Sequence, residues 1–332
     1  MIARLHVILP FSLTIPKQEQ FPVYEYSAGD YKVITYPPKI SEELKRSTDD
    51  AAQVSINDAP AVQADVLHVE FHKDSFERAV DGKCDPPEGL IQKVINSFLV
   101  KLRFVTRASQ IRPLDFPLAS WNLRYLNDDE TELEEREGLV RGRFGRKFSF
   151  SWIELNKDLW EAIHSLPPDY IPPQWDSLLL DADAALPQVG PSVVLSATAL
   201  EVFISHILDQ IAQKSSIPPE LWNWLNTREW LREPTAEEQF DDLLRILSGK
   251  SLKEDGALWK AFKNLKAARN SFVHEGTARI ASNQVSENDA AAFIKQAHQI
   301  IKFVKDNLPK ELHWPEFRFN IKIQTTQRIL GE

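Results

Sequence analysis

Two proline pairs in HSLPPDYIPPQW, residues 164–175, divide the chain into halves with different apolar periodicity. Proline pairs favour extended backbone and end helices, so this segment predicts a domain boundary. Before it, apolar residues alternate as in strands, and after it they recur every three to four residues as in helices. The pattern predicts a β-rich α+β domain at residues 1–165, an all-α bundle at 175–308, and a tail at 309–332 containing one strand.

The first half contains a series of runs rich in β-branched and aromatic residues, which predict strands. These runs are RLHVILPFSLTI, YKVITYP, ADVLHVEFHK, ASWNLRYL and RKFSFSW. One helix is predicted among them at residues 86–107, where Leu90, Val94, Phe98 and Leu102 form an apolar stripe. The first half is therefore expected to have an α+β fold.

The sequence predicts no metal site and no cofactor. The acidic run NDDETELEEREG, residues 127–138, has no accompanying histidine, and repulsion between its charges favours a solvated loop. His68 and His72 lie four residues apart in a predicted strand, about 13 Å at the rise of a strand, which is too far to bind one ion. The single cysteine, Cys84, excludes an internal disulfide, and no surrounding motif marks it as reactive.

Charge and hydropathy limit the partners of the chain. The apolar start is interrupted by Arg4, His6 and Pro10 and has no small-residue cleavage site after it, unlike a signal peptide. No apolar run approaches the roughly 18 residues that a bilayer requires, which predicts a soluble, cytoplasmic protein without membrane contact. The formal charge of −9 argues against a general nucleic-acid coat, because such proteins carry a basic excess. It leaves room for a local basic site.

The second half is predicted to contain helices with recognisable ends. Residues 191–213 are apolar on nearly all sides, as is typical of a helix at the centre of a bundle. Another helix is predicted in ELWNWLNTREWL, and the next begins at a capping box formed by Thr235 and Glu238. A further helix spans residues 254–275 and ends at Gly276. The last begins at Ser286 and has an apolar stripe of Phe293, Ala297, Ile300, Ile301, Val304 and Leu308.

The helix at residues 254–275 has an unusual polar face. At about 100° per residue, its apolar side chains share the opposite face, and they are Leu258, Ala261, Phe262, Leu265, Ala268 and Phe272. The polar face carries Lys260, Lys263, Asn270 and His274, and Arg269 lies between the two faces, where its stem can pack. Residues 257–280 contain five basic residues and one acidic residue, a net charge of +4. The face is therefore selectively basic.

Spacing alone leaves two interpretations of this face open. Basic residues near a helix C-terminus interact favourably with the helix dipole, so an ordinary solvated surface is one interpretation. Glu201 favours a functional one, because it falls among Ala197, Leu200 and Ile204 of the central helix, where an acid is expected only with a partner. Arg269 is the predicted partner of Glu201, and this ion pair would position its guanidinium. A direct role for Glu201 is the alternative.

The residues RNSFVH at 269–274 resemble the RxxxxH signature of the HEPN superfamily (higher eukaryotes and prokaryotes nucleotide-binding), including the polar Asn270 after the arginine. The upstream segments SATALEVFI and WDSLLLDADAAL are similar to the opening helices of HEPN families that follow an N-terminal β-rich domain in bacterial and phage-defence proteins. The resemblance covers about residues 175–308. It implies a HEPN-like helical bundle that pairs two-fold and brings two motifs to one cleft.

The resemblance also implies metal-independent RNA cleavage, because HEPN domains with an intact motif are commonly endoribonucleases. The residue types suit this reaction: His274 would transfer protons, Arg269 would stabilise the phosphate, and Asn270 would orient either of them. One motif supplies one proton-transfer group, so the active form is expected to be a homodimer. The RNA backbone would be bound by the basic side chains Lys260, Lys263 and Lys266.

Other classes of function compete with this interpretation. A non-catalytic HEPN module would bind nucleotide or a partner protein, and a dimeric scaffold would have no chemistry. The intact motif, including Asn270, favours an enzyme, which by resemblance would be a phage-defence or toxin effector with a regulatory or trigger partner at residues 1–165. Other enzyme classes lack their sequence motifs, since the chain contains no GxxxxGK[ST], GxGxxG, GxSxG or HExxH.

Overall fold

The computed structural model describes residues 1–41, 52–56, 59–76, 85–115, 119–129, 131–137, 153–215, 217–226, 233–317 and 323–327. The chain divides into two compact units, one formed by Met1–Ile171 with Glu316–Glu332 and the other by Pro172–Pro315. The first is built on an antiparallel sheet and the second is mostly helical, so the overall class is α+β. Cys84 and the strand predicted in RKFSFSW lie outside the described residues.

The sheet of the first unit is organised around two long antiparallel strands, β1 and β5. Its strands before the second unit are β1 Ile2–Pro16, β2 Tyr24–Ala28, β3 Tyr31–Lys39, β4 Ala52–Ile56, β5 Ala59–His72, β6 Ser120–Leu126, β7 Glu132–Glu137 and β8 Ile153–Glu154. The order is β4-β5-β1-β6-β7, with the β2–β3 hairpin also paired to β5 and the short β8 parallel to β1. The strands predicted at RLHVILPFSLTI, YKVITYP, ADVLHVEFHK and ASWNLRYL are confirmed.

Two helices cover one face of this sheet. They are α1 Glu88–Thr106, which was predicted, and α2 Lys157–Ser165, which was not. Side chains that alternate to this face, such as Leu5 and Leu67, are buried in the same core as Ile95 of α1 and Trp160 of α2. Burial of apolar area drives this packing, at about 25 cal/mol per Å². The period-two alternation of the strands therefore determines which face the helices cover.

The other face of the sheet carries a buried carboxylate. Glu70 of β5 is 2% exposed and accepts hydrogen bonds from Arg4 Nε at 2.7 Å and Tyr36 Oη at 2.9 Å. The Nε2 atoms of His68 and His72 lie 3.4 and 3.0 Å from its carboxylate oxygens. These two histidines, predicted to be too far apart to bind one ion, thus approach a single carboxylate, because every second residue of a strand shares a face.

We expect the first unit to lose stability in acid. Burial and the neighbouring His68 lower the pKa of His6 to about 4, and burial with the nearby Lys101 lowers the pKa of His164 to about 3. Both imidazoles then bind protons less readily in the folded chain than in the unfolded chain. The free energy of unfolding should therefore fall as the pH drops from 6.5 through these values. Thermal melting as a function of pH measures this, and His164→Gln should flatten the dependence.

Two carboxyl groups modify this acid response. Burial raises the pKa of Glu70, but its contacts with His68, Arg4, His72 and Tyr36 outweigh burial and hold that pKa well below its ordinary value, so its contribution is lost as the pH falls below 4.5. Burial raises the pKa of Glu154 to about 7, which instead favours folding as the pH falls from 7 to 4.5. The steepest loss should occur below pH 4.5, and a melting temperature that kept rising there would contradict the expectation.

The acidic run at residues 127–138 contains a strand. The prediction of a solvated loop is wrong for Glu132–Glu137, which forms β7 and pairs antiparallel with β6. In this register Glu135 lies opposite Arg124 and Glu137 lies opposite Asn122. Pairing with β6 satisfies backbone N–H and C=O groups of this segment, which offsets the repulsion that favoured a loop, and charged residues are common on strands near a sheet edge.

The second unit is a helical bundle with α4 at its centre. Its elements are α3 Gln174–Ala185, α4 Val189–Lys214, α5 Pro219–Asn226, α6 (Ala236–Glu238, the π-helical turn Gln239–Leu243 and Leu244–Ser248), α7 Gly256–Glu275, the hairpin of β9 Arg279–Ile280 and β10 Asn283–Gln284, and α8 Glu287–Asp306. α4 contacts α3, α7 and α8. The capping box of Thr235 with Glu238 and the N-cap at Ser286 are confirmed. Residues 227–231 of the helix predicted in ELWNWLNTREWL lie outside the described residues.

The central helix corrects one expectation drawn from hydropathy. Among the described helices, α4 is long and apolar enough to cross a membrane by length and composition alone. The expectation that no apolar run approaches bilayer length is therefore wrong. More than half of its most apolar stretch is buried within this unit, as is typical of the central helix of a bundle. Uncharged small residues between the larger apolar ones keep the hydropathy of α4 high.

The C-terminal segment returns to the first unit. The alternating run EFRFNIKIQ is predicted to form a strand, and the structure places β11 at Ile323–Gln327, antiparallel to β4. Ile323 lies opposite Ile56 in this pairing. Residues 318–322, which form most of the predicted run, lie outside the described residues.

Candidate functional site

Local signals define both ends of α7, which carries the candidate residues. At its start, the Asp255 side chain accepts hydrogen bonds from the backbone N–H groups of Ala257 and Leu258, at 3.1 and 3.0 Å. At its end, Gly276 has a φ of 73° and donates its N–H to Phe272 O at 2.9 Å. L side chains rarely adopt that left-handed conformation, so a glycine ends the helix directly after the motif.

Packing in the bundle leaves one face of α7 accessible. The buried face consists of apolar side chains, namely Ala261, Phe262, Leu265 and Ala268. The exposed side chains include Lys260, Lys263, Ala267, Val273 and His274. His274 is therefore a surface histidine, as the helical wheel predicted.

The Arg269 side chain bridges the two faces of α7. Its Nε atom is buried and has no hydrogen-bond partner among the described residues, whereas its Nη1 atom donates to Asn270 Oδ1 at 3.1 Å. The stem therefore packs against the bundle while the guanidinium lies beside the amide that follows it in the sequence. Because Asn270 Oδ1 accepts this bond, the Nδ2 group of Asn270 is the part that can donate to a ligand.

His274 lies on the accessible side of α7, one turn beyond Asn270, about 6 Å along the helix axis. Within the described part of the chain its ring makes no hydrogen bond or ion pair. Next to it, Ser271 Oγ donates to Thr277 O at 2.7 Å and ties the helix end to the segment that begins the β9–β10 hairpin. The backbone around His274 is thus held while its ring nitrogens stay available for proton transfer.

A close approach between α4 and α7 positions this end of α7. A Cβ atom on Gly190 would lie 2.0 Å from Phe272 Cε2, so the Phe272 ring occupies the space that a side chain at Gly190 would need. The two helices pack against each other. Arg269, three residues before Phe272, is therefore about one helical turn from this contact with the beginning of α4.

The ion pair predicted between Glu201 and Arg269 does not form among the described side chains, so this prediction is wrong. Glu201 is half-buried and lies on the more exposed stripe of α4 with Thr198 and Ser205. Glu201 is eleven residues beyond Gly190 along α4, roughly 16 Å along the axis, whereas Arg269 is only three residues from Phe272 along α7. A helical wheel shows the angle of a residue around its helix and not the position of that residue along the axis.

An acid from α6 engages two of the three lysines predicted to bind RNA. Lys263 Nζ lies 2.6 Å from one carboxylate oxygen of Glu237, and Lys266 Nζ lies 2.7 Å from the other. Lys260 is exposed and has no ion-pair partner within the described residues. Glu237 is not among the predicted site residues, and its one sequence signal is its position beside Glu238 of the capping box. The basic face is therefore less positive than the count along α7 indicates.

The described residues contain no group of three or more His, Cys, Asp or Glu side chains that could hold a metal ion. What the end of α7 does bring together is an arginine, an amide and a histidine, which suit phosphate stabilisation and proton transfer. No protein-family model, curated protein or solved structure matches this chain. The likeness to the HEPN signature thus consists of the motif residues and their place at the end of α7.

Proposed function

We propose that this protein is a metal-independent endoribonuclease of the HEPN type, in which Arg269, Asn270 and His274 act on the scissile phosphodiester. The proposal is carried by one observation: Arg269 is hydrogen-bonded to Asn270 one helical turn before an exposed His274, at a helix end that packing holds in place. Positioned groups of this kind cost no reorganisation when charge develops in a transition state.

The chemistry assigns a task to each side chain. Attack of an RNA 2′-OH on phosphorus requires a base to take the hydroxyl proton, and departure of the 5′-oxygen requires an acid to supply one. The imidazole of His274 can perform either proton transfer, since one ring nitrogen donates a proton and the other accepts one. The Arg269 guanidinium, which is always charged and planar, stabilises the negative charge that develops on the phosphoryl oxygens. Asn270 orients that guanidinium through its Oδ1 atom.

A second copy of the chain completes the site in this proposal. Each subunit supplies one histidine, whereas the reaction needs both a base and an acid. A two-fold axis beside α7 would bring two motifs together, and two-fold pairing is the commonest arrangement of homo-oligomers. Val273, directly before His274, is 52% exposed and offers apolar area for such a contact.

We expect the protein to self-associate through the face that carries Asn270 and His274. Val273→Glu would place an unpaired charge in that contact and should weaken association about 10-fold or more. Ile246→Glu, at a side chain of α6 that is 75% exposed, is the matched control and should leave association unchanged. Light scattering over a concentration series measures both, and a wild-type monomer at tens of micromolar would exclude the two-fold site.

The function itself is tested by incubating the protein with single-stranded RNA in EDTA. The expected result is cleavage of the RNA and no cleavage of a DNA strand of the same sequence, because DNA lacks the attacking 2′-OH. Dependence of this cleavage on His274 is the decisive comparison.

A further inference from the structure

The Glu237 carboxylate lies between two lysines of α7 in the geometry of a bound anion. One oxygen accepts a hydrogen bond from Lys263 Nζ at 2.6 Å and the other accepts one from Lys266 Nζ at 2.7 Å. Glu237 comes from α6, so the contact joins residues that are 26 and 29 positions apart in the chain. The two lysines thus form a two-point site for a group with one negative charge shared by two oxygens.

This contact is formed by charged groups that solvent reaches. Hydrogen bonds from Lys263 and Lys266 hold the pKa of Glu237 below its ordinary value, so the carboxylate is ionised at neutral pH. The side chains of Lys263, Lys266 and Glu237 are 46%, 29% and 30% exposed. Exposed ion pairs contribute little to stability because water and salt compete with them. A competing anion can therefore displace the carboxylate without unfolding the bundle.

The position of the lysines relates this site to the motif. Lys266 precedes Asn270 by one helical turn, and Lys263 precedes it by about two turns, or roughly 10 Å along α7. All three side chains lie on the same polar side of the helix by the wheel. An RNA strand with its scissile phosphate at His274 could run along α7 toward the start of that helix. One of its neighbouring phosphates would then lie close to Lys263 and Lys266.

We propose that a backbone phosphate of the bound RNA takes the place of the Glu237 carboxylate between Lys263 and Lys266, so that Glu237 is a built-in competitor of the substrate. The proposal rests on the ribonuclease function proposed above. A phosphodiester carries one negative charge on two non-bridging oxygens, as the carboxylate does. Glu237 then lowers the affinity for RNA, because a phosphate can bind these two lysines only after their ion pairs with Glu237 break.

The test compares two variants that remove the same charge from α6. Glu237→Gln weakens the competitor, whereas Asp242→Asn neutralises an exposed acid of the same helix that pairs with Arg245 instead. Both are made in the His274→Ala background so that the RNA stays intact. Affinity for a single-stranded RNA is measured by fluorescence anisotropy between about 50 and 200 mM salt, where phosphate contacts have a large effect.

We expect Glu237→Gln to tighten RNA binding about 3- to 10-fold at low salt. The plot of log binding constant against log salt concentration should also become steeper, by up to about 0.7, which is the slope that one phosphate contact contributes for single strands. Asp242→Asn should change affinity by less than about 2-fold, as a general effect of net charge. Adding Lys263→Ala and Lys266→Ala to Glu237→Gln should abolish the gain.

Two outcomes would overturn the inference. In one, Glu237→Gln binds RNA no more tightly than Asp242→Asn while melting at a lower temperature, which makes the contact a structural link between α6 and α7. In the other, the gain survives removal of both lysines. If Glu237→Gln gains affinity as expected but the wild-type protein never cleaves RNA, the phosphate site stands and the ribonuclease function fails.

Discussion

Replacing His274 with alanine should abolish RNA cleavage and leave the fold intact. The loss of rate is expected to be about 10²- to 10⁴-fold, because that is the contribution of a positioned proton-transfer group. His274 is exposed and makes no hydrogen bond within the described residues, so its removal should change the free energy of unfolding by no more than about 0.5 kcal/mol. Single-turnover cleavage of a labelled RNA in EDTA and thermal melting measure the two quantities.

The matched control for this variant is His206→Ala. His206 is an exposed histidine of α4, on the same unit but not on α7, and its ring packs against Trp175. Its removal should leave the cleavage rate within about 2-fold of wild type, because surface substitutions away from a site have small effects. Equal cleavage by wild type and His274→Ala would show that this face of α7 is an ordinary solvated surface and not the active site. Cleavage that EDTA removes would show that a metal ion takes part.

Changing Arg269 to lysine should lower the cleavage rate by about 10²-fold although the charge is kept. Lysine offers a compact ammonium in place of a planar fork, so it cannot hold two phosphate oxygens in the same way or reproduce the bond from Nη1 to Asn270 Oδ1. Loss of one transition-state donor typically costs about 10²- to 10³-fold. The substrate affinity should fall less than the rate, since the charge near the RNA remains.

Arg279→Lys provides the control for the arginine variant. Arg279 is an exposed residue of the β9–β10 hairpin just beyond α7, and its guanidinium has no assigned task. A rate loss confined to Arg269→Lys supports transition-state stabilisation by the fork. If Arg269→Lys raised KM with no change in kcat, Arg269 would bind the RNA backbone only. Melting of both variants checks that the buried Nε of Arg269 has no larger structural role.

Local chemistry in the sequence determined where the helices of the second unit begin and end. Thr235 with Glu238, Ser286 and Gly276 act on backbone groups within four residues, so their effect can be predicted without knowing the rest of the fold. The same is true of the exposure of His274, which follows from the 3.6-residue period once the apolar face is buried. These signals placed the candidate motif at the end of one helix.

Tertiary structure alone decided which charges meet. Glu237 reaches Lys263 and Lys266 only because α6 lies beside α7. Glu201 makes no ion pair with Arg269 among the described residues, because it lies on the more exposed stripe of α4 and far along that helix from the contact between Gly190 and Phe272. Periodicity specifies which way a residue points around its own helix, and it contains no information on the height at which a neighbouring helix presents its partner.

The sheet of the first unit shows the same division. Alternation within β1 and β5 determined that Leu5 and Leu67 face one side and that Glu70 faces the other. The pairing register between distant strands decided that Glu70 meets Arg4, and that acidic β7 lies against β6 rather than remaining a loop. A sequence thus specifies elements through interactions between near neighbours, whereas contacts between distant residues depend on how the whole chain closes its core.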